Sequence, residues 1–459
     1  MIQPRGSIAA RLDRLPILPF HRRLLGLIGA GMFFDSFDIY LAGSVLGELV
    51  HSGWSDLAMN ARFISATFVG MVIGAAAAGW LGDRYGRRFT YQFNLAVFGA
   101  ASFACALAPN MGWLIAARLV SGVGLGAEIV VGYATLLEFI PPGHRGRWGA
   151  LLSLLTNFGL FASTLVSWMV IPAFGWRPMF VIAGLGAFFV LWLRKTMPES
   201  PRWLAAQGRM AEADAVVAGA EAEASRLPPP VLPPPVLVDL PAAAGLSASV
   251  FVKRALVGSV LQAAVSIAIY GFVALVPTFL VQHGMAINRS LGQAVLMSLG
   301  GPAGAALGWV LSDRIGRRPA IIGASLLAAA CGTAFAHATS QEMAVVLGFV
   351  MFTLIYFLVS IIVAGYVPEL FPTAVRMRGT AITSVAGRLT AIGVPFAVVW
   401  LYTEGGLEFV LGGVAAALLI QAGLVALYRE ETNGRSLEAI TADAEAIVSA
   451  PQRSVLPSR

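Results

Sequence analysis

Five ionisable residues lie in stretches otherwise too apolar to hold them: Asp35, Asp38, Arg118, Glu128 and Arg388. A charged side chain at mid-bilayer costs at least about 2.5–3.5 kcal/mol, so each needs a partner or a task. Two kinds of chemistry suit them. A desolvated carboxylate beside an arginine takes up or releases a proton as its surroundings change. A guanidinium with no acid at its own depth suits an anionic ligand, because its planar fork can grip a carboxylate with two hydrogen bonds. No nucleophile–base pair, metal cluster or phosphate loop accompanies these residues, so an enzyme is not expected. Cys105 and Cys331 fall singly inside apolar segments, which fits neither a disulfide framework nor a metal site.

The elements that position these groups follow from composition. Of the 459 residues, 58% are hydrophobic and 12% are charged, where a soluble domain carries about 25% charged residues. Mean hydropathy is +0.78. This is the composition of a polytopic all-α membrane protein. A spanning helix needs roughly 20 mostly apolar residues, and twelve such spans are expected. They lie near residues 24–50, 60–81, 91–108, 111–137, 148–172, 174–193, 255–281, 291–311, 318–337, 342–367, 379–402 and 405–427. With the N-terminus inside, 26 of the 31 Lys and Arg residues fall in cytoplasmic segments. Three (Arg62, Arg177, Arg289) are then external, and Arg118 and Arg388 are intramembrane. That bias places both termini in the cytoplasm. The net charge of +7 therefore reflects topology and gives no reason to expect nucleic acid. The apolar run after the N-terminal arginines exceeds signal-peptide length and reads as a retained first span.

Helical rise sets the depths. Asp35 and Asp38 stand roughly 17 and 21 Å from the inner end of the first span, and Arg118 roughly 10 Å from the outer end of the fourth. In a core about 30 Å thick, Asp38 and Arg118 share a level. The expectation is a proton-binding Asp38 with Arg118 as its switchable partner; a permanent structural tie is the alternative. Asp35, at i,i+3 from Asp38, shares the proton, binds substrate or is a solvated cavity carboxylate. Glu128, deeper, either relays protons inward or anchors the fourth span. Arg388 lies about 14 Å into the eleventh span. It is expected to bind a substrate carboxylate, the alternatives being Asp35 or backbone carbonyls. Asn157, Gln262 and Tyr270 are polar candidates for the same cavity.

The chain also repeats itself. Gly82, Asp83, Arg84, Gly86, Arg87 and Arg88 form a loop whose Asp83, Arg84, Gly86, Arg87 and Arg88 recur 230 positions later as Asp313, Arg314, Gly316, Arg317 and Arg318. Glu138, Arg145 and Arg147 recur 231 positions later as Glu369, Arg376 and Arg378. Two halves are implied, at 1–195 and 251–430, joined by a linker at 196–250 and followed by a tail at 431–459. In the linker, residues 203–225 are rich in Ala and Glu and helix-prone, and 228–235 form a polyproline spacer. Two facing membrane halves are the architecture of a rocking transporter. The loops are expected to gate it: Asp83 would face Arg376 and Arg378, and Asp313 would face Arg145 and Arg147, with the arginines also serving as topology signals. Gly122, Gly124 and Gly126 are expected to let helices pack closely.

The doubled Asp-Arg-x-Gly-Arg-Arg loop resembles that of the major facilitator superfamily, over essentially the whole chain. Arg118-x-x-x-Gly122-x-Gly124-x-Gly126, Pro198-Glu-Ser-Pro-Arg-Trp-Leu204 and Glu431-Thr-Asn-Gly-Arg-Ser-Leu-Glu438 are similar to motifs of its sugar porters and metabolite:proton symporters. Phe34-Asp35-Ser36-Phe37-Asp38 resembles the first-helix Asp-Gly-Phe-Asp signature of aromatic acid:proton symporters, and Gly126-Ala-Glu128 in the fourth span resembles the Gly-Gly-Glu of sialate and nicotinate-type carriers. The resemblance implies a twelve-helix fold of two pseudo-symmetric six-helix halves and latching by the loops on the cytoplasmic side. It also implies proton-coupled symport of a small organic anion, an aromatic or other monocarboxylic acid, in a bacterial inner membrane. A sugar or polyol symporter, a drug:proton antiporter and a non-transporting receptor are the rivals. Only Gln262 and Ser266 occupy the seventh-span stretch where sugar porters carry paired glutamines and an asparagine. The partners expected are a small-molecule substrate, protons and the lipid bilayer. No cofactor or metal is expected, and the chain should work as a monomer.

Overall fold

The computed structural model describes residues 8–141, 144–226, 247–276, 278, 286–371 and 375–428. The polyproline spacer and the tail, with its Glu431–Glu438 motif, lie outside the described residues, as do the side chains of Asp83, Arg145, Asp313 and Arg376.

The first half consists of Pro19–His51, Leu57–Tyr85, Arg87–Ala106, Met111–Phe139, Arg145–Phe174 and Arg177–Leu193. The second starts with Ala248–Ala268, which passes into a wide π turn at Ile269–Val273. It continues with Ile287–Ser298, Gly300–Ile315, Arg317–Ala336 and Gln341–Ile361, the last extended through Ile362–Tyr366 to Glu369. The final stretch, Arg376–Tyr428, breaks at Gly405 and Gly406 into the eleventh and twelfth spans. These are the twelve expected spans. Polar caps mark the starts of several: Asp56 accepts from the Met59 N–H at 2.7 Å, Asn110 from Trp113 at 2.9 Å and Ser340 from Met343 at 3.1 Å.

Three expected boundaries are corrected. The first span starts at Pro19, a full turn before residue 24. The seventh is not α-helical throughout but loosens into the π turn at Ile269–Val273. The eighth is broken at Leu299. Pro302 explains that break, since it offers no N–H to the Ser298 carbonyl and its ring crowds it. The tenth widens into its π turn just before Pro368 for the same reason.

The halves pack alike. The second span lies on the fourth, the first on the fifth and the third on the sixth; correspondingly the eighth lies on the tenth, and the seventh and ninth on the Arg376–Tyr428 pair. The halves meet toward the face opposite the linker. There Ser65 Oγ donates to the Ile392 carbonyl at 2.7 Å, and the Thr164 and Ser298 hydroxyls are 2.6 Å apart. On the linker face, Ile8–Asp13 and the linker helices Pro201–Ala206 and Met210–Ala224 pack around Leu12, Leu15, Trp203 and Val217. Arg11 clamps this unit, binding Glu221 at 2.7 Å and Asp214 at 2.5 Å, and Arg14 adds a bond to Glu221 at 2.7 Å.

Hydrogen bonds from Arg11 and Arg14 hold the Glu221 carboxyl below its ordinary range. A carboxylate with a lowered folded pKa stabilises docking above its free value of about 4.3 and loses that contribution as the pH falls through the lower folded value. Protection of residues 8–13 against hydrogen exchange, corrected for the intrinsic pH dependence, should therefore fall at acid pH, and in Glu221→Gln it should already be low at neutral pH. Close helix contact gives a second expectation. A methyl at Gly126 would strike the Met71 backbone, whereas one at Gly26 would meet nothing within 4 Å. Gly126→Ala should lower the melting temperature in detergent, and Gly26→Ala should leave it unchanged.

Candidate substrate and proton site

Asp38 and Arg118 meet as their depths predict. Arg118 Nη1 donates to Asp38 Oδ2 at 2.5 Å, and neither side chain is more than 1% exposed. Arg118 Nε donates to Thr67 Oγ1 at 3.2 Å, and the rings of Phe63 and Phe180 lie 5.0 and 5.8 Å from the guanidinium. Gly122 makes this possible. It sits against the Thr67 backbone, so the second span comes close enough for its threonine to reach Arg118. One guanidinium thereby joins the first, second and fourth spans.

Glu128 has a partner that sequence reasoning missed. Arg194 Nη1 lies 2.5 Å from Glu128 Oε1, with both side chains 1% exposed. Arg194 Nε donates to the Leu27 carbonyl at 2.9 Å and Nη2 to that of Ile28 at 3.1 Å, over the ring of Tyr91 at 4.4 Å. Its place just after the sixth apolar run makes it look like a topology arginine. The signal available was its repeat position, Val425, which carries no charge. Arg254 was likewise counted as a loop charge. It is fully buried, and its Nη1 donates to the Leu370 carbonyl at 2.8 Å. Asp35 is 1% exposed, and neither carboxylate oxygen has a hydrogen-bond partner among the described residues.

Arg388 stands at the seam between the halves. Its Nη1 donates to the Met71 carbonyl of the second span at 2.9 Å, the backbone alternative to an acidic partner. It makes no other hydrogen bond among the described residues, so most of its donors are uncommitted. Tyr270 lies within electrostatic range of it and packs edge-on to Phe68, ring centroids 4.4 Å apart. Tyr40 and Tyr356 face each other across the same seam at 6.3 Å. Gln262 packs beside Gly387, the residue before Arg388. Asn157 is not brought to this group by any described contact; its amide donates to Ser153 O within its own helix at 2.9 Å.

The loop arginines bind within their own halves, while the expected facing of Asp83 and Asp313 to the opposite half falls on side chains outside the described residues. Arg87 binds Glu138 at 3.2 Å and Arg317 binds Glu369 at 3.1 Å, each within its own half. Arg88 reaches the Lys195 carbonyl at 2.8 Å, and Arg318 reaches those of Val425 and Ala426 at 3.0 and 2.7 Å. Each loop thus ties the end of the third or ninth span to the ends of two others. Gly86 and Gly316 turn the chain at φ +94° and +91°, a conformation that L side chains rarely adopt. Glu199 accepts the N–H groups of Arg87 at 2.9 Å and Arg88 at 3.2 Å, which occupies orphan donors at the start of the third span. Arg84 lies beside the rings of Trp80 and Tyr85 at 5.6 and 5.7 Å. Gly82 packs near Arg87 and Thr90.

Residues 28–395 match the family model described as Major Facilitator Superfamily. The chain belongs to that superfamily. It is a membrane transporter of metabolites, and its small-molecule ligand is a substrate to be moved. An inner membrane metabolite transport protein of Escherichia coli, YdjE, is 34% identical, over 95% of this chain and 98% of that one. The niacin transporter NiaP of Acinetobacter baylyi is 31% identical, over 95% of this chain and 99% of that one. The 4-hydroxybenzoate transporter PcaK of Pseudomonas aeruginosa is 30% identical, over 45% of this chain and 47% of that one. The partially occluded inward-open xylose transporter XylE of E. coli has the same fold, with a TM-score of 0.69 at 18% identity over 91% of this chain and 99% of that one.

Breaking one side of a buried ion pair leaves an uncompensated charge and costs about 3–5 kcal/mol. Arg118→Gln should lower the melting temperature in detergent sharply. The double variant with Asp38→Asn should recover part of the loss, and a double variant no more stable than the single one would contradict the pairing.

Proposed function

We propose that the protein is a proton-coupled symporter of a small aromatic monocarboxylate, working by alternating access between its two halves. One observation carries the reading. Arg388 presents uncommitted guanidinium donors at mid-membrane, beside Tyr270 and the Phe68, Tyr40 and Tyr356 rings, where the halves meet. Guanidinium supplies the fork for a carboxylate, and aromatic side chains supply flat apolar walls for a ring. Arg388 and Tyr270 would hold the substrate, with Gln262 beside them. Asn157 would act from the fifth span if it turns away from Ser153. Niacin and 4-hydroxybenzoate, named for two relatives, are both aromatic carboxylic acids.

The proton would enter at Asp38, whose buried pair with Arg118 is available to be broken by protonation. Neutralising Asp38 frees Arg118 and loosens the tie between the first and fourth spans. The linker face would be cytoplasmic, as the arginine bias indicates, with the protein in a bacterial inner membrane and working as a monomer. The loops would keep each half rigid at that face, with Asp83 and Asp313 closing it against the opposite half.

Proteoliposomes challenged with benzoate, nicotinate, 4-hydroxybenzoate and neutral sugars test this. The external medium should become alkaline on adding an aromatic carboxylate. Asp38→Asn should abolish the proton flux. Losing one charged hydrogen-bonding group costs about 1.5–3 kcal/mol, so Arg388→Ala should raise the half-saturation concentration about tenfold to a hundredfold. A response to sugars alone, or a carboxylate response indifferent to Arg388, would overturn the substrate assignment.

A further inference from the structure

The N-terminal half buries more acid than it can pair. Among its described residues, Asp35, Asp38 and Glu128 are buried carboxylates, and Arg118 and Arg194 are the buried guanidiniums. Asp38 takes Arg118, and Glu128 takes Arg194. The buried imidazole of His21 accepts the Leu18 N–H at Nδ1, far down at the linker end, and the buried Tyr91 ring lies 4.4 Å from the Arg194 guanidinium. Arg388 belongs to the other half and is directed at Met71. Asp35 is left with two oxygens that no donor reaches among the described residues. The charged groups within electrostatic range of it are Glu128, Arg194 and Asp38, two of them acids. An unpaired, desolvated carboxylate beside two others binds a proton instead of keeping its charge.

We infer that Asp35 holds a proton in this conformation, and that Asp35, Glu128 and Arg194 form a second proton-binding centre, separate from Asp38 and Arg118. The geometry supplies the reason for a centre and not merely a neutral acid. Gly31 is one helical turn toward the linker face from Asp35, and a methyl there would strike both Arg194 and Glu128. The ion pair is thus pressed against the same face of the first span that carries Asp35. Release of the proton, Asp35 carboxyl giving carboxylate plus a proton to water, would put a second anion in contention for Arg194. That arginine also holds the Leu27 and Ile28 carbonyls. The contest would therefore be felt where the sixth span is fastened to the first. The functional part of this inference rests on proton-coupled transport; the protonation of Asp35 does not.

Infrared spectroscopy of the full chain in lipid nanodiscs, without substrate or gradient, tests it. A protonated carboxyl has a carbonyl band distinct from a carboxylate and shifted in heavy water. The wild type should show this band at neutral pH, and Asp35→Asn should lose it. Glu128→Gln should lose it too, because the freed Arg194 then pairs with an ionised Asp35. Arg194→Gln should about double it, since two acids then lack a partner. Should Arg194→Gln fail to fold, the two acid variants still decide the matter. Thermal melting places the proton: Asp35→Asn, replacing a neutral acid by a neutral amide, should melt with the wild type, whereas Asp38→Asn should melt lower. A band absent from the wild type, or undiminished in Asp35→Asn or Glu128→Gln, would overturn the inference, as would a reversed order of melting. No substrate enters these measurements, so their failure is distinct from failure of the transport assay.

Discussion

A charge that water cannot reach must find its opposite inside the protein, and that requirement shapes the whole N-terminal half. Arg118 gathers the first, second and fourth spans, and Arg194 gathers the first, fourth and sixth. The first span is therefore fastened to the fourth at two levels, near Asp38 and near Ile28, about 15 Å apart by helical rise. Helices joined by desolvated ion pairs do not slide past one another cheaply, since each slip strands a charge. In the proposed cycle the half would move as a body, and movement would be left to the seam, where aromatic edges, hydroxyls, carbonyls and apolar side chains meet.

The internal repeat is a repeat of scaffold and not of chemistry. Arg87 with Glu138 and Arg317 with Glu369 are the same construction, as are Arg88 on the end of the sixth span and Arg318 on that of the twelfth. Each half is braced alike at the linker face. The mid-membrane groups break the symmetry. The buried acids all belong to the first half among the described residues, while the second contributes a lone Arg388 at the seam and a structural Arg254. In the proposed cycle protons and an anion need opposite hosts, and placing them on opposite bodies would let each act on the relative position of the two.

Much of this was legible in the sequence. Apolar length gave the twelve spans, the doubled loops gave the two halves, and a rise of about 1.5 Å per residue sufficed to bring Asp38 to Arg118. Those arguments use distances along one axis, and the misses lie where that axis says nothing. Arg194 stands just past its apolar run, so depth assigns it to the surface; only the packing of three helices shows that it is buried. Arg254 deceived for the same reason at the start of the seventh span. The bonds of Arg87 and Arg317 to Glu138 and Glu369 went unread because sequence spacing does not say which of two nearby acids a loop arginine meets. Asn157 was offered for the cavity by its polarity alone, and the described contacts show only its bond to the Ser153 carbonyl in its own helix. The broken eighth helix was written in Pro302, whose effect on the Ser298 carbonyl is local and could have been read directly.

The bond from Arg388 to the Met71 carbonyl carries the mechanistic argument furthest. A neutral carbonyl is a weaker acceptor for guanidinium than a carboxylate, so the contact holds the arginine in place without satisfying it. Met71 in turn lies against Gly126, two residues from Glu128. An anion taken by Arg388 would compete for the donor that links the halves at mid-membrane, and it would do so against the stretch of the second span packed on the fourth, which carries Arg118 and Glu128. In the proposed cycle, substrate and proton thus meet through backbone and not through a shared side chain. Such an arrangement would make the arginine a clasp that a carboxylate opens, and a carbonyl suits that role better than an acid, since an acidic partner would close the site to an anionic ligand.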